Sequence, residues 1–259
     1  MGLELLERDE ISRVLFHPRH ELSRPGFGSH GQVVRFPIED QVSLGGRLYT
    51  ATPETVVILY FHGNGEIAAD YDELSQFYRR LGASLLVVDY RGYGQSTGTP
   101  RASSLISDAI AVYRQCRDPA SSLGLAGRRL FVMGRSLGSA AALAIAEQAG
   151  EDLAGLILES GFADTLGLIR RLGGVLPIGA DEARDGFGNL ARIGTVTVPT
   201  LIIHGEEDRI IPFADAEALF QAAAAPDKRL VRIALAGHND LLFVALPQYF
   251  QAIADLLKR

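Results

Sequence analysis

A serine hydroxyl is a weak nucleophile until a turn exposes it and a base takes its proton. Gly134-Arg135-Ser136-Leu137-Gly138 matches G-x-S-x-G, and its context strengthens the match. A β-rich run over 129–133 precedes it, and an Ala-rich helical run over 137–149 follows. Strand, turn and helix in that order raise the serine on a strained backbone at the end of a sheet. The glycines two before and two after leave the turn room. Ser139, Ala140, Ala141 and Ala142 are small, so the helix can lie close on the strands. Ser136 is the expected nucleophile of an acyl transfer.

The base should be a histidine. His17, His20 and His30 precede the sheet core, and His62 and His204 each sit in a strand-end His-Gly, where a structural role is expected. His238 lies in Ala236-Gly237-His238-Asn239-Asp240, between the last strand-like run and the last helical run. That position completes the chain order serine, acid, histidine. The acid must fix the tautomer of the base and stabilise its imidazolium form. Asp208, in HGEEDRIIP at 204–212, follows a β-rich run and is placed by the turn and the Ile-Ile-Pro after it. Glu206, Glu207 and Asp164 are the alternatives.

A tetrahedral intermediate also needs donors for its oxyanion. The loop His62-Gly63-Asn64-Gly65 follows the apolar run VVILYF. The backbone N–H groups of Asn64 and of Leu137, the residue after the nucleophile, are the expected pair.

The elements that must hold these residues alternate. Strands are predicted over 32–37, 44–51, 56–61, 85–90, 129–133, 153–159, 200–204 and 228–235, the second with an irregularity at Gly45-Gly46. Helices are predicted over 71–81, 103–117, 137–149, 213–225 and 241–257. Apolar strands alternating with helices imply a mostly parallel sheet with helices on both faces and active residues at the carboxyl ends of strands. About eight strands in one α/β domain over 1–259 are expected. The stretch 162–195 breaks the rhythm, with one short helical piece at 166–172, and reads as a lid-like insertion. Phe162, Leu166, Leu172 and Leu176 are its candidates for lining an acyl pocket.

Composition narrows the partners. The 259 residues are 47% hydrophobic and carry a formal net charge of -6, with no basic run to meet phosphates, so nucleic acid is not an expected partner. The one cysteine, Cys116, permits no intrachain disulfide and reads as a small, partly buried side chain. Residues 26–31 spell G-x-G-x-x-G, but Pro25 precedes them and a strand follows, the wrong context for a dinucleotide. No cofactor or metal motif is present. The charged N-terminal stretch lacks the apolar core of a signal peptide, Leu6 interrupts the myristoylation pattern, and no run is long enough to span a bilayer. A cytoplasmic protein without a membrane anchor, acting on a small-molecule or acyl substrate, is expected.

HGNG at 62–65, DYRGYGQS at 89–96, GRSLGS at 134–139, HGEEDRIIP at 204–212 and GHND at 237–240 together resemble the α/β-hydrolase superfamily, from about Gln32 onward. Within it the chain is similar to the branch of domain-containing proteins 13 and 17. The resemblance implies the α/β-hydrolase fold and ester or thioester hydrolysis, and some animal members are protein depalmitoylases. It also implies that residues 89–94 form a structural turn near the site. The N-terminal cysteine cluster and the N-terminal membrane segment of those relatives have no counterpart here. A peptidase or amidase with the same triad, and a fold that only binds a ligand or partner, are the rival readings.

Overall fold

The computed structural model describes residues 2–22, 31–54 and 56–259. All of the G-x-G-x-x-G stretch except Gly31, and His30 with it, lies outside the described residues. Five runs are buried along their whole length and form the middle of a sheet: β3 (Val56–Phe61), β4 (Ala83–Val88), β5 (Leu130–Arg135), β6 (Gly155–Glu159) and β7 (Thr200–Gly205). Burial along every position is what strands covered on both faces require. β1 (Gln32–Glu39), β2 (Val42–Tyr49) and β8 (Lys228–Ile233) complete an eight-stranded sheet in the order β1-β2-β4-β3-β5-β6-β7-β8. β1 and β2 pair antiparallel, as do β2 and β4, and all other pairs are parallel. This is the α/β-hydrolase architecture that the motifs implied.

Two apolar layers cover the sheet. On one face, α3 (Ala102–Arg117), α4 (Gly138–Ala149) and α8 (Phe213–Ala222) bury Val112, Leu143 and Leu219. On the other, α2 (Ser75–Arg80) and α9 (Leu241–Leu257) bury Tyr78, Tyr249, Phe250 and Ile253. The small residues Ser139 to Ala142 are fully buried, which brings the axis of α4 close to β5 and β6.

Several local expectations change. α1 (Asp9–Leu15) was not visible in a charge-rich stretch, yet Ile11 and Leu15 are buried. Its four-residue spacing of apolar positions is the helical signal. The helix expected over 71–81 is instead a 3-10 turn, Ala68–Tyr71, followed by the shorter α2. The β1–β2 ladder runs without interruption through Gly45 and Gly46, and its register shift falls in β1 between Pro37 and Glu39. A Cβ on Gly46 would stand 2.6 Å from the carbonyl oxygen of Val87, so glycine serves close packing there. α9 is broken at Ala245 (φ -145°, ψ 48°) because Pro247 offers no N–H and its ring excludes the carbonyl four residues earlier.

The stretch 162–195 holds α5 (Thr165–Arg171), α6 (Glu182–Asp185) and α7 (Asn189–Ile193). Phe162 and Leu166 are core residues, with Phe162 edge-on to Phe187 at 6.1 Å. Leu176 is half-buried, while Leu172, Val175 and Ile178 are exposed.

Candidate active site

Ser136 stands at the C-terminal end of β5 with φ +51°, in the left-handed region that a non-glycine residue enters only under constraint. The constraint is visible on both sides. A Cβ on Gly134 would meet the Gly138 carbonyl oxygen at 2.3 Å, and one on Gly138 would meet the Phe61 carbonyl oxygen at 2.1 Å. The turn is pinned further by Ser136 N–H donating to Glu159 O at 2.9 Å, and by Ser139 Oγ donating to Ser136 O at 2.7 Å.

His238 lies between Ser136 and Asp208. Its Nδ1 is 2.7 Å from Asp208 Oδ2, and its Nε2 is 3.0 Å from Ser136 Oγ. A carboxylate only accepts, so Nδ1 carries the proton and Nε2 is free to accept from the serine hydroxyl. Asp208 is buried. Its Oδ1 accepts the N–H groups of Ile210 and Ile211 at 2.9 and 2.8 Å. The Ile-Ile-Pro that marked Asp208 in the sequence thus supplies two of its donors. Burial by itself raises the Asp208 pKa. Hydrogen bonds from His204 and His238, the His238 charge and the Ile211 N–H outweigh burial and hold the carboxyl well below the usual range.

The rival acids are used elsewhere. Glu206 is exposed and pairs with Arg232 at 2.9 Å, Glu207 is exposed, and Asp164 caps α5 by accepting from Gly167 N–H at 2.8 Å. His204 does more than close a strand. Its Nε2 donates to Ile211 O at 2.8 Å and lies 3.3 Å from Asp208 Oδ2. His62 packs its ring 4.5 Å from Tyr90 and 5.6 Å from Tyr93, within the turn after β4.

Asn64 follows β3, and its side chain is clamped. Its Oδ1 accepts from His17 N–H at 2.9 Å and from Tyr93 Oη at 2.7 Å, while Nδ2 lies 2.7 Å from His17 Nδ1. Arg19 adds a bond to the Gly65 carbonyl at 3.0 Å. Residues before the sheet therefore fix the loop after β3, a role that nothing in the spacing of His17 or Arg19 announces. The 89–94 turn contributes Tyr93 to this clamp and Asp89, which accepts from Ala68 N–H at 2.7 Å. Leu137 precedes the first residue of α4, so its N–H belongs to the unpaired set at a helix start.

A cavity of about 220 Å³ adjoins His238, walled by Tyr60, Tyr71, Arg135, Glu159 and Leu242. A more open depression of about 620 Å³ around Arg117 and Asp152 lies at the opposite end of β5 and touches none of the site residues. Among the described residues, no group of His, Cys, Asp and Glu could hold a metal ion. Cys116 is fully buried, and burial pushes its thiol up to about 12.

The fold and this constellation define an α/β hydrolase. The chain belongs to the hydrolase family described as serine aminopeptidase, S33, whose model matches residues 52–171 and 189–242 and leaves 172–188 unmatched. It is 31% identical to human alpha/beta hydrolase domain-containing protein 17B over 192 residues, 71% of this chain and 60% of that protein. It therefore spans about three-fifths of that relative's length. It is 28% identical to protein bem46 of Schizosaccharomyces pombe over 240 residues, covering 89% of this chain and 78% of that one. The fold is shared with the Pyrococcus furiosus esterase Pf2001, at TM-score 0.74 and 17% identity over 95% of this chain and 97% of that one. No described helix is long and apolar enough to cross a membrane.

Proposed function

We propose that the protein is a serine hydrolase that cleaves carboxylic esters or thioesters through an acyl-enzyme on Ser136. The observation that carries this reading is the unbroken contact from Asp208 Oδ2 through His238 to Ser136 Oγ, at 2.7 and 3.0 Å. His238 takes the serine proton as Ser136 Oγ attacks the acyl carbon. The N–H groups of Asn64 and Leu137 hold the negative charge that develops on the carbonyl oxygen. The collapsing intermediate expels the alcohol or thiol, to which His238 returns the proton. Water, activated by the same imidazole, then attacks the acyl-enzyme and releases the acid. Asp208 keeps Nδ1 protonated throughout. The reading uses no metal or cofactor.

The stretch 162–195 is read as a small lid-like insertion, a reading supported by the family model leaving 172–188 unmatched and by the exposure of Val175 and Ile178. The description of the family as serine aminopeptidases favours amide cleavage as the second reading.

The deciding experiment is hydrolysis of p-nitrophenyl esters from acetate to palmitate, beside matched p-nitroanilides, with Ser136→Ala as control. The proposal expects ester turnover that falls by several orders of magnitude in Ser136→Ala. Turnover that survives in Ser136→Ala would refute it, and faster cleavage of the anilides would favour the peptidase reading.

A further inference from the structure

Arg135 occupies the variable position just before the nucleophile, and it is almost entirely buried. Its guanidinium reaches three separate segments. Nε donates to Glu159 Oε1 at 3.1 Å, at the end of β6. Nη1 donates to Glu66 Oε1, in the loop after β3. Nη2 donates to the His238 carbonyl and to Asn239 Oδ1, both at 2.8 Å.

The two carboxylates extend these connections. Glu66 Oε2 accepts Gly63 N–H at 2.8 Å and the Tyr71 hydroxyl at 2.6 Å. Glu159 Oε2 accepts the Tyr249 hydroxyl at 2.6 Å. A Cβ on Gly63 would stand 2.4 Å from Arg135 Nη1, so the loop carrying Asn64 lies directly on the guanidinium. One side chain thus joins the turn that bears Ser136 to the loop that bears His238. Through Glu66 it also joins that turn to the loop that bears Asn64.

Cohesion of the sheet does not require this group. β5 is already laddered to β3 and β6 along its length. A buried ion pair is also weak evidence for stability, since an apolar side chain of similar volume often serves as well. What the fork of donors adds is a fixed distance between loops that no ladder reaches.

We propose that Arg135 is a positioning residue, whose guanidinium sets the His238 and Asn64 loops against Ser136. The proposal rests on the triad reading above. A misplacement of about 1 Å in a reacting group can cost about a hundredfold in rate.

The test compares Arg135→Lys, Arg135→Met and Glu66→Gln with the wild-type full chain on p-nitrophenyl butyrate. kcat and KM are measured separately, together with the thermal midpoint and the NMR resonance of the proton between His238 and Asp208. Arg135→Lys keeps the charge but not the fork. It is expected to lower kcat about 10- to 100-fold with KM changed less than about twofold, and to move or broaden that resonance. Glu66→Gln is also expected to lower kcat, because one amide oxygen cannot replace both carboxylate oxygens that accept from Arg135 Nη1 and from Gly63 N–H.

Wild-type kcat in both Arg135 variants, with only a lower thermal midpoint, would reduce Arg135 to a structural ion pair and overturn the proposal. Should Arg135→Met fail to fold, Arg135→Lys decides. If the wild-type chain hydrolyses no ester, the hydrolase reading fails on its own. The His238 resonance then tests Arg135 independently, and an unmoved resonance in Arg135→Lys overturns the positioning role.

Discussion

His204 shares Asp208 Oδ2 with His238: its Nε2 lies 3.3 Å from that oxygen, and His238 Nδ1 lies 2.7 Å from it. The Asp208 carboxylate is thereby enclosed by two imidazoles and two backbone N–H groups, and its position and charge are fixed together.

Burial raises the Asp208 pKa, while hydrogen bonds from His204 and His238 lower it by more, so the folded value is depressed. A depressed acid contributes stability above its unfolded pKa of about 4 and loses it as pH falls through the folded value. The stability difference between wild type and Asp208→Asn is therefore expected to be largest near neutral pH and to shrink on acidification. Urea unfolding of both proteins between about pH 7 and pH 3 checks this. A constant difference across that range would contradict it. Turnover of Asp208→Asn should fall by about 10⁴, as expected when the base loses its tautomer.

Gly138 admits no side chain. A Cβ there would meet the Phe61 carbonyl oxygen at 2.1 Å and the Phe61 carbonyl carbon at 2.7 Å, and backbone on β3 has little freedom to retreat. Gly138→Ala is expected to destabilise the protein by about 3 kcal/mol, at the upper end of overpacking costs. Chemical denaturation measures it, and a cost under about 0.5 kcal/mol, the scale of a neutral surface change, would show that α4 can shift away from the sheet.

Tyr93 meets the proposed oxyanion loop through its hydroxyl, which donates to Asn64 Oδ1 at 2.7 Å and accepts from His17 N–H at 2.8 Å, and through its ring beside His62. Tyr93→Phe keeps the ring beside His62 and removes both hydroxyl bonds, of which the one to Asn64 bears directly on the loop. A neutral hydrogen bond is worth about 1 kcal/mol, so kcat should fall about three- to tenfold with KM little changed. A change confined to KM would place the loop in ground-state binding instead.

Cys116 is sealed in the core with its thiol pushed up to about 12 by burial, so almost none is thiolate at neutral pH. A disulfide reagent should leave the folded protein unlabelled and its ester turnover intact, then titrate one thiol in denaturant. Stoichiometric labelling of the native protein would mean that α3 opens readily.

The turn at Ser136 was the most legible feature, because a strand, a flanking pair of glycines and a small-residue helix follow one another in the chain. The glycines on either side of Ser136 are read from consecutive residues, and the Gly134 constraint is local, whereas what forbids a Cβ on Gly138 is the Phe61 carbonyl on β3. The middle strands were legible for a similar reason, since burial on both faces demands unbroken apolar runs. The β2 glycines were misread, because a close strand–strand approach leaves the same letters as an irregular one. α1 escaped because charge masked its periodicity, and the helix read over 71–81 was too long, since only Ser75–Arg80 of it is α-helical.

The sequence by itself determined the fold class, the turn at Ser136, and the order in which Ser136, Asp208 and His238 follow their strands. Those are properties of neighbouring residues and of the alternation of strand and helix. Only the tertiary structure decided that Asp208 rather than Glu206, Glu207 or Asp164 meets His238, and that Arg135 and Glu66 lock the loops. It also decided that His17 holds Asn64 from 47 positions away. These contacts join residues distant in the chain, and their geometry exists only once the parallel strands bring their carboxyl ends to one edge of the sheet.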